Sequence, residues 1–194
     1  MNYLLSVVIG YLLGIINPAY ILGKIKGVDI RQHGSNNAGA SNAKILFGWG
    51  AGVLIAFIDI LKSFLAFYLC KKLFVEDIYA YLGSFGTIMG HIFPFYLGFK
   101  AGKGYASYIG MLLAIDYRLA LVMMLWCIVV TYTSNYIVLS TISTVIIVPI
   151  YLYLKGVELN IILVLIVIAI VMIYKHRINI VRIINHEEIG FRKK

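Results

Sequence analysis

The sequence predicts an all-α, polytopic membrane helix bundle, and three observations predict it. Of 194 residues, 62% are hydrophobic, where soluble domains hold about 45–50%. Mean hydropathy is +0.93. Apolar runs near the roughly 20 residues that a helix needs to cross a bilayer recur along the chain, and the charges gather between them.

Taken in order, residues 3–23 form the first span. No charged side chain precedes Lys24, Lys26 and Arg31. A cleavable signal peptide carries its positive charge ahead of the apolar stretch, so this reads as a retained span with its N-terminus outside. Spans 45–70, 78–98, 119–134, 136–154 and 159–174 follow, with TSNY (133–136) the only break between the fourth pair. Residues 105–115 are too short to cross alone, a length tolerated where the polar end is buried in protein or lines a wet cavity. With that segment counted there are seven transmembrane helices and a cytoplasmic C-terminus. The segments so placed inside hold twelve Lys and Arg, those outside four, as positive-inside bias requires. No repeat or linker interrupts the chain, so residues 1–194 read as one domain.

A net charge of +9 has a near use in such a protein. Lys and Arg flank cytoplasmic helix ends and meet anionic headgroups. Membrane lipids, and no nucleic acid, are the expected partners; oligomeric state is left open. Cys70 and Cys127 lie inside apolar runs and read as small packing residues, with no disulfide framework. Neither a metal-spaced His cluster nor a cofactor motif is present, so no metal and no cofactor are expected. Asp59 and Lys62 lie near mid-span, where each costs about 2.5–3.5 kcal/mol. Spaced i, i+3, they read as an ion pair facing the bundle.

Three polar segments point to function. In GSNNAGASN (34–42), Gly34 and Gly39 open backbone angles closed to other residues, letting successive N–H groups face one concavity. Ser35, Asn36, Asn37, Ser41 and Asn42 add hydroxyls and amides without negative charge, and Arg31 and Lys44 flank the loop. The same residues also suit an ordinary capping turn. In FKAGKG (99–104), Gly102, Lys103 and Gly104 precede a helix whose N-terminus carries unpaired N–H groups and partial positive charge. Walker A spacing is absent, so nucleotide hydrolysis is not indicated. In KHRINIVRIINHEE (175–188), His176, Asn179 and Arg182 share one helix face. Snorkelling explains the flanking cations but not the asparagine. These segments and His91, in GHIFP, fall on the cytoplasmic side, and all four histidines (His33, His91, His176, His186) lie in or beside them. Together they equip a membrane surface to hold phosphate.

In this order the pieces resemble the bacterial acyl-phosphate:glycerol-3-phosphate acyltransferase family. The resemblance rests on NPAYILGKIKGVDIRQHGSNNAGASN (17–42), DILK (59–62), GHIFPFYLGFKAGKG (90–104) and HRINIVRII (176–184), and covers nearly the whole chain. It implies an integral enzyme of the bacterial plasma membrane whose active site faces the cytoplasm. Such an enzyme moves a fatty acyl group from acyl phosphate to glycerol 3-phosphate and yields lysophosphatidic acid, the first step of phospholipid synthesis. By resemblance, Ser35, Lys103, His176 and Asn179 are catalytic. Gly34, Asn37, Gly39, Ser41, Asn42, Gly102, Gly104, Ser107 and Arg182 bind substrate, and Glu188 matches an acidic tail position. Lys103 and loop amides would neutralise phosphate while Ser35 and Asn179 orient the reacting groups. The base is His176 or a substrate phosphate oxygen. Two departures stand out: Ala101 replaces a family glycine, strained if that position needs positive φ, and Ile45 replaces an arginine that contacts substrate phosphate. They motivate one other reading, a catalytically weak paralogue that binds phospholipid precursors; a small transporter is a further alternative, against which stand the absence of a repeat and polarity gathered on one face.

Overall fold

The computed structural model describes residues 1–192; Lys193 and Lys194, counted above among the cytoplasmic charges, lie outside the described residues. Among the described residues all regular structure is helical. The chain divides into two compact units, Met1–Ile115 and Asp116–Lys194.

In the first unit, α1 (Asn2–Gly14) and α2 (Pro18–Ile25) replace the single helix expected over 3–23. Pro18 has no N–H to continue α1, and it pushes Asn17 into an extended conformation, from which the Asn17 side chain caps α2 by accepting from the Tyr20 amide at 2.8 Å. The expected span 45–70 is likewise two helices, α3 (Ala40–Phe47) and α4 (Trp49–Leu73), separated at Gly48 with φ +88°. Helix α5 (Asp77–Ile92) ends before the expected residue 98, because Phe93 precedes Pro94, which disfavours helical angles there. A 3₁₀ turn, Phe95–Leu97, and a left-handed Gly98 then carry the chain to α6 (Tyr105–Ile115).

Helix α1 packs most extensively on α5, and small residues make that possible. A methyl at Gly10, Gly14, Gly86 or Gly90 would run into backbone of the facing helix. Close approach of this kind drives helix association where lipid removes the hydrophobic incentive. Thr87, between them, shares its hydroxyl between the Gly10 carbonyl (3.1 Å) and the Gly83 carbonyl (3.0 Å).

The second unit holds α7 (Tyr117–Ser134), α8 (Ile137–Leu154) and α9 (Leu159–Ile184). Asp116 caps α7 by accepting from the Arg118 amide at 2.8 Å, and the TSNY break falls at Asn135, which is left-handed with φ +69°. The buried Thr131 hydroxyl donates to Ser140 Oγ at 3.3 Å across the α7–α8 pair. Helix α9 runs ten residues past the expected 174, so the third motif lies inside it.

Among the described residues five helical stretches are long and apolar enough to cross a membrane: Asn2–Ile25, Trp49–Leu73, Tyr117–Ser134, Ile137–Leu154 and Leu159–Ile184. The chain is thus built as a multi-pass membrane protein. Of the remaining helices, α3 has only 8 residues, and α5 and α6 rise only ~24 Å and ~16 Å against the ~30 Å of a hydrocarbon core.

Candidate active site

The first loop is organised by Asn42. This fully buried side chain donates to the carbonyls of Ile30 (2.8 Å) and His33 (2.9 Å) and accepts the Ser35 amide at 2.8 Å. One amide on α3 thereby closes the loop that precedes it. Gly34 lies at φ +62°, and a Cβ there would collide with Asn42 Oδ1, so both angle and space demand glycine. Gly39 differs from expectation. It is extended (φ −147°), a backbone open to any residue, and it is held small by Asn37 Nδ2, which a Cβ would meet at 2.9 Å. The amides of Asn36 and Gly39 bond to the carbonyls of His33 and Asn37. With the Ser35 amide on Asn42, three of the expected N–H groups serve the loop itself rather than an open concavity. Asn36 is left-handed at φ +56°, which asparagine tolerates. Ser35 and Asn37 are half-buried, and Ser41 is exposed on the first turn of α3.

Arg31 binds the second segment to the first. Its guanidinium donates to the carbonyls of Leu97 (2.9 Å) and Lys100 (3.4 Å), and forks onto Asp29 at 3.0 and 2.8 Å. This pairing holds the Asp29 carboxyl down at about 2 and raises the guanidinium. Beneath lies a small apolar floor in which Ile30, Ala38 and Ala43 of the first segment pack with Leu97 and Ala101 of the second. Asn17 adds a tie, donating to the Ala38 carbonyl at 3.2 Å. The Tyr11 hydroxyl donates to the Phe93 carbonyl (2.8 Å) and accepts the Phe95 amide (3.1 Å).

Within the second segment Ala101 is not among the positive-φ residues, so the methyl at this position brings no backbone strain. Gly104, at φ +91°, turns the chain into α6. Lys103 is half-buried beside that helix start, and Ser107 is fully buried one turn in, its Oγ with no partner among the described residues. Gly102 sits on His91: its amide donates to the His91 carbonyl at 3.2 Å, and a Cβ would strike the ring at Nε2. Ile45 is exposed, near Gly34. Lys44 Nζ lies over the Trp49 ring, 3.8 Å from its centroid.

Asp59 and Lys62 pair at 2.7 Å, buried, as expected from their spacing. The structure adds two partners that the spacing did not reveal. His91 Nδ1 lies 3.2 Å from Asp59 Oδ1 and 3.0 Å from Lys62 Nζ. Lys62 also donates to the carbonyls of Gly14 (3.1 Å) and Ile16 (2.9 Å), at the break between α1 and α2.

The third motif belongs to the second unit. His176 and Asn179 are buried on one face of α9, and Arg182 is half-buried a turn further. His176 Nδ1 lies 2.7 Å from the Met172 carbonyl. A carbonyl only accepts, so Nδ1 carries the proton and Nε2 is the basic nitrogen of the neutral ring. Helix α9 ends with left-handed His186 (φ +61°), the His186 amide on the Ile183 carbonyl and the Glu187 amide on the Arg182 carbonyl. That reversal brings Glu188 back to accept from Asn179 Nδ2 at 2.7 Å.

Sequence reasoning passed over Arg31 as a brace, and Asn17 and Tyr11 altogether. Their signal was faint: polar groups at the edges of apolar runs, bonded to backbone that lies distant in sequence.

A family model described as glycerol-3-phosphate acyltransferase matches residues 4–186. Among curated relatives, glycerol-3-phosphate acyltransferase 1 of Oceanobacillus iheyensis is 37% identical over 97% of this chain and 94% of that one. The Aquifex aeolicus enzyme is 35% identical over 98% and 100%. A crystal structure of PlsY, an integral membrane glycerol 3-phosphate acyltransferase in its glycerol 3-phosphate form, superposes with a TM-score of 0.91 at 33% identity, covering 99% of this chain and 96% of that one. The lysophosphatidic acid form gives 0.87. A match of this extent in sequence and backbone leaves one assignment: the chain belongs to the glycerol-3-phosphate acyltransferase family.

Proposed function

We propose that this protein transfers a fatty acyl group from acyl phosphate to a hydroxyl of glycerol 3-phosphate, forming 1-acylglycerol 3-phosphate and inorganic phosphate. This would be the first step of phospholipid synthesis at a bacterial plasma membrane. The observation that carries the reading is the pinning of a serine- and amide-rich loop to the segment that leads into a Gly-Lys-Gly turn, by Arg31 and a shared apolar floor, in a chain that follows its solved relatives almost end to end.

The chemistry suits these groups. Acyl phosphate is a mixed anhydride, already activated, so no enzyme nucleophile is needed. The hydroxyl oxygen bonds to the acyl carbon, the carbon–oxygen bond to phosphate breaks, and phosphate departs with the electron pair. Lys103 and the N-terminus of α6 neutralise phosphate charge, while Gly102 and Gly104 keep the turn narrow enough for close approach. Ser35, Asn37, Ser41 and Ser107 offer hydroxyls and an amide to substrate oxygens. Asn42 and Gly34 act by holding Ser35 in place, and Gly39 by leaving room for Asn37. His176 Nε2 takes the hydroxyl proton, with a substrate phosphate oxygen as the alternative acceptor. Asn179, steadied by Glu188, orients the acceptor, and Arg182 adds positive charge. Most of the rate gain would come from alignment and from donors aimed at the developing oxyanion.

For the membrane arrangement, we propose seven crossings with α5 and α6 as short ones, N-terminus outside and the motifs facing the cytoplasm. The charge asymmetry supports this.

The test is labelled acyl phosphate with glycerol 3-phosphate in detergent micelles, without coenzyme A. Lysophosphatidic acid should form, and Lys103→Ala should abolish it while the protein still inserts; undiminished turnover in that variant refutes the assignment. Ile45 favours one competing reading, the weak paralogue. Binding without product would support that reading, and flux into liposomes without chemistry would support transport.

A further inference from the structure

We propose that His91 is a positioning residue for the Gly102–Lys103 turn, its ring set from below by Asp59 and Lys62. The three side chains are buried, and a simple Asp–Lys pair has no need of the third. Lys62 Nζ has four polar atoms within 3.1 Å: Asp59 Oδ1, the Gly14 and Ile16 carbonyls, and His91 Nδ1. An ammonium has three hydrogens. With those hydrogens on Asp59 Oδ1 and the two carbonyls, the Nδ1 proton of His91 is left to donate to Asp59 Oδ1, 3.2 Å away. The Nδ1 edge of the ring is therefore held by an ion pair anchored on α4, and Lys62 in turn is tied to the break after α1.

The opposite edge of the ring meets the functional turn. A methyl on Gly102 would strike Nε2, and the Gly102 amide bonds to the His91 carbonyl at 3.2 Å. Backbone and ring of one residue thus fix Gly102 at two points, and Lys103 is the next residue. A buried charge network in a membrane segment is ordinarily retained for function. Here it ends on a glycine whose small size is what the ring requires. His91 acts through this contact, not on substrate.

The inference rests on Lys103 serving to neutralise substrate phosphate, and a double-mutant cycle tests it. His91→Asn keeps a polar group toward Asp59 and Lys62 but withdraws the ring edge from Gly102. It should lower kcat/KM for glycerol 3-phosphate at least tenfold with a melting temperature in micelles close to that of the wild type. Gly102→Ala alone should lose at least tenfold, because its methyl meets the ring. With the ring gone the methyl has room, so His91→Asn/Gly102→Ala should fall within twofold of His91→Asn. Losses that simply multiply overturn the proposal, since ring and glycine would then act independently. If the wild type makes no lysophosphatidic acid, the acyltransferase reading fails, and the same cycle is read in the affinity for inorganic phosphate by titration calorimetry. As a second measurement on wild type, the His91 ring nitrogens, assigned by removing the other three histidines in turn, should shift when inorganic phosphate is added. An unmoved signal overturns the proposal without any substitution at His91.

Discussion

At the scale of single residues, the site is shaped by side chains that keep to the backbone. Asn42 uses both amide hydrogens and its oxygen on loop groups twelve or fewer positions away. Asn42→Ala would take the side-chain partner from the Ser35 amide and the Ile30 carbonyl and leave the His33 carbonyl with the Asn36 amide alone, each buried polar group left unpaired costing about 1–3 kcal/mol. Product formation should fall at least tenfold, with a lowered melting temperature in micelles; retained activity would show that the loop holds its shape otherwise. Asp29 gives a pH prediction. Its folded pKa, about 2, lies below the ordinary 3.8 because Arg31 is bonded to it. The pair therefore stabilises fully above about pH 4, and that contribution is lost as pH falls toward 2. Thermal melting should show this acid-dependent decline, and Asp29→Asn should remove that part of it.

At the scale of elements, breaks in helices do the placing. Pro18 ends α1 early, and the carbonyls freed at Gly14 and Ile16 become acceptors for Lys62. A continuous first helix would leave that buried ammonium with fewer partners. The α1–α5 contact has no slack: a methyl on Gly86 already meets the backbone of Val7 and Tyr11. Gly86→Leu should force the helices apart. Overpacking costs typically about 1–3 kcal/mol, and more where backbone must move. Melting should drop by several degrees and activity with it; an unchanged melting temperature would mean the helices do not pack as closely as described. In α9 the motif face was readable from spacing alone, because His176 and Asn179 stand i, i+3 on a regular helix. Glu188 reaches Asn179 only through the left-handed turn at His186, which no periodicity announces.

Across the whole molecule, the membrane arrangement is tested by cysteine labelling in cells on a Cys70→Ser, Cys127→Ser background. Lys72→Cys should react with an impermeant maleimide from outside, and Lys26→Cys only after permeabilisation. The reverse pattern would invert the orientation. Composition and the order of motifs were enough to identify the helical membrane class and the family, and to single out three polar segments, because bilayer thickness and phosphate chemistry restrict which residues serve and those constraints are local. Span boundaries were less legible: 3–23 and 45–70 each proved to be two helices, and 78–98 stopped at Ile92, where Pro18, Gly48 and Pro94 override apolarity. The braces were hidden altogether. Arg31 on Leu97, His91 on the Asp59–Lys62 pair, and Tyr11 on Phe93 join residues 29 to 82 positions apart. Such contacts exist only once helices have packed, since a buried donor takes whichever acceptor the fold brings near, and a one-dimensional pattern carries no record of it.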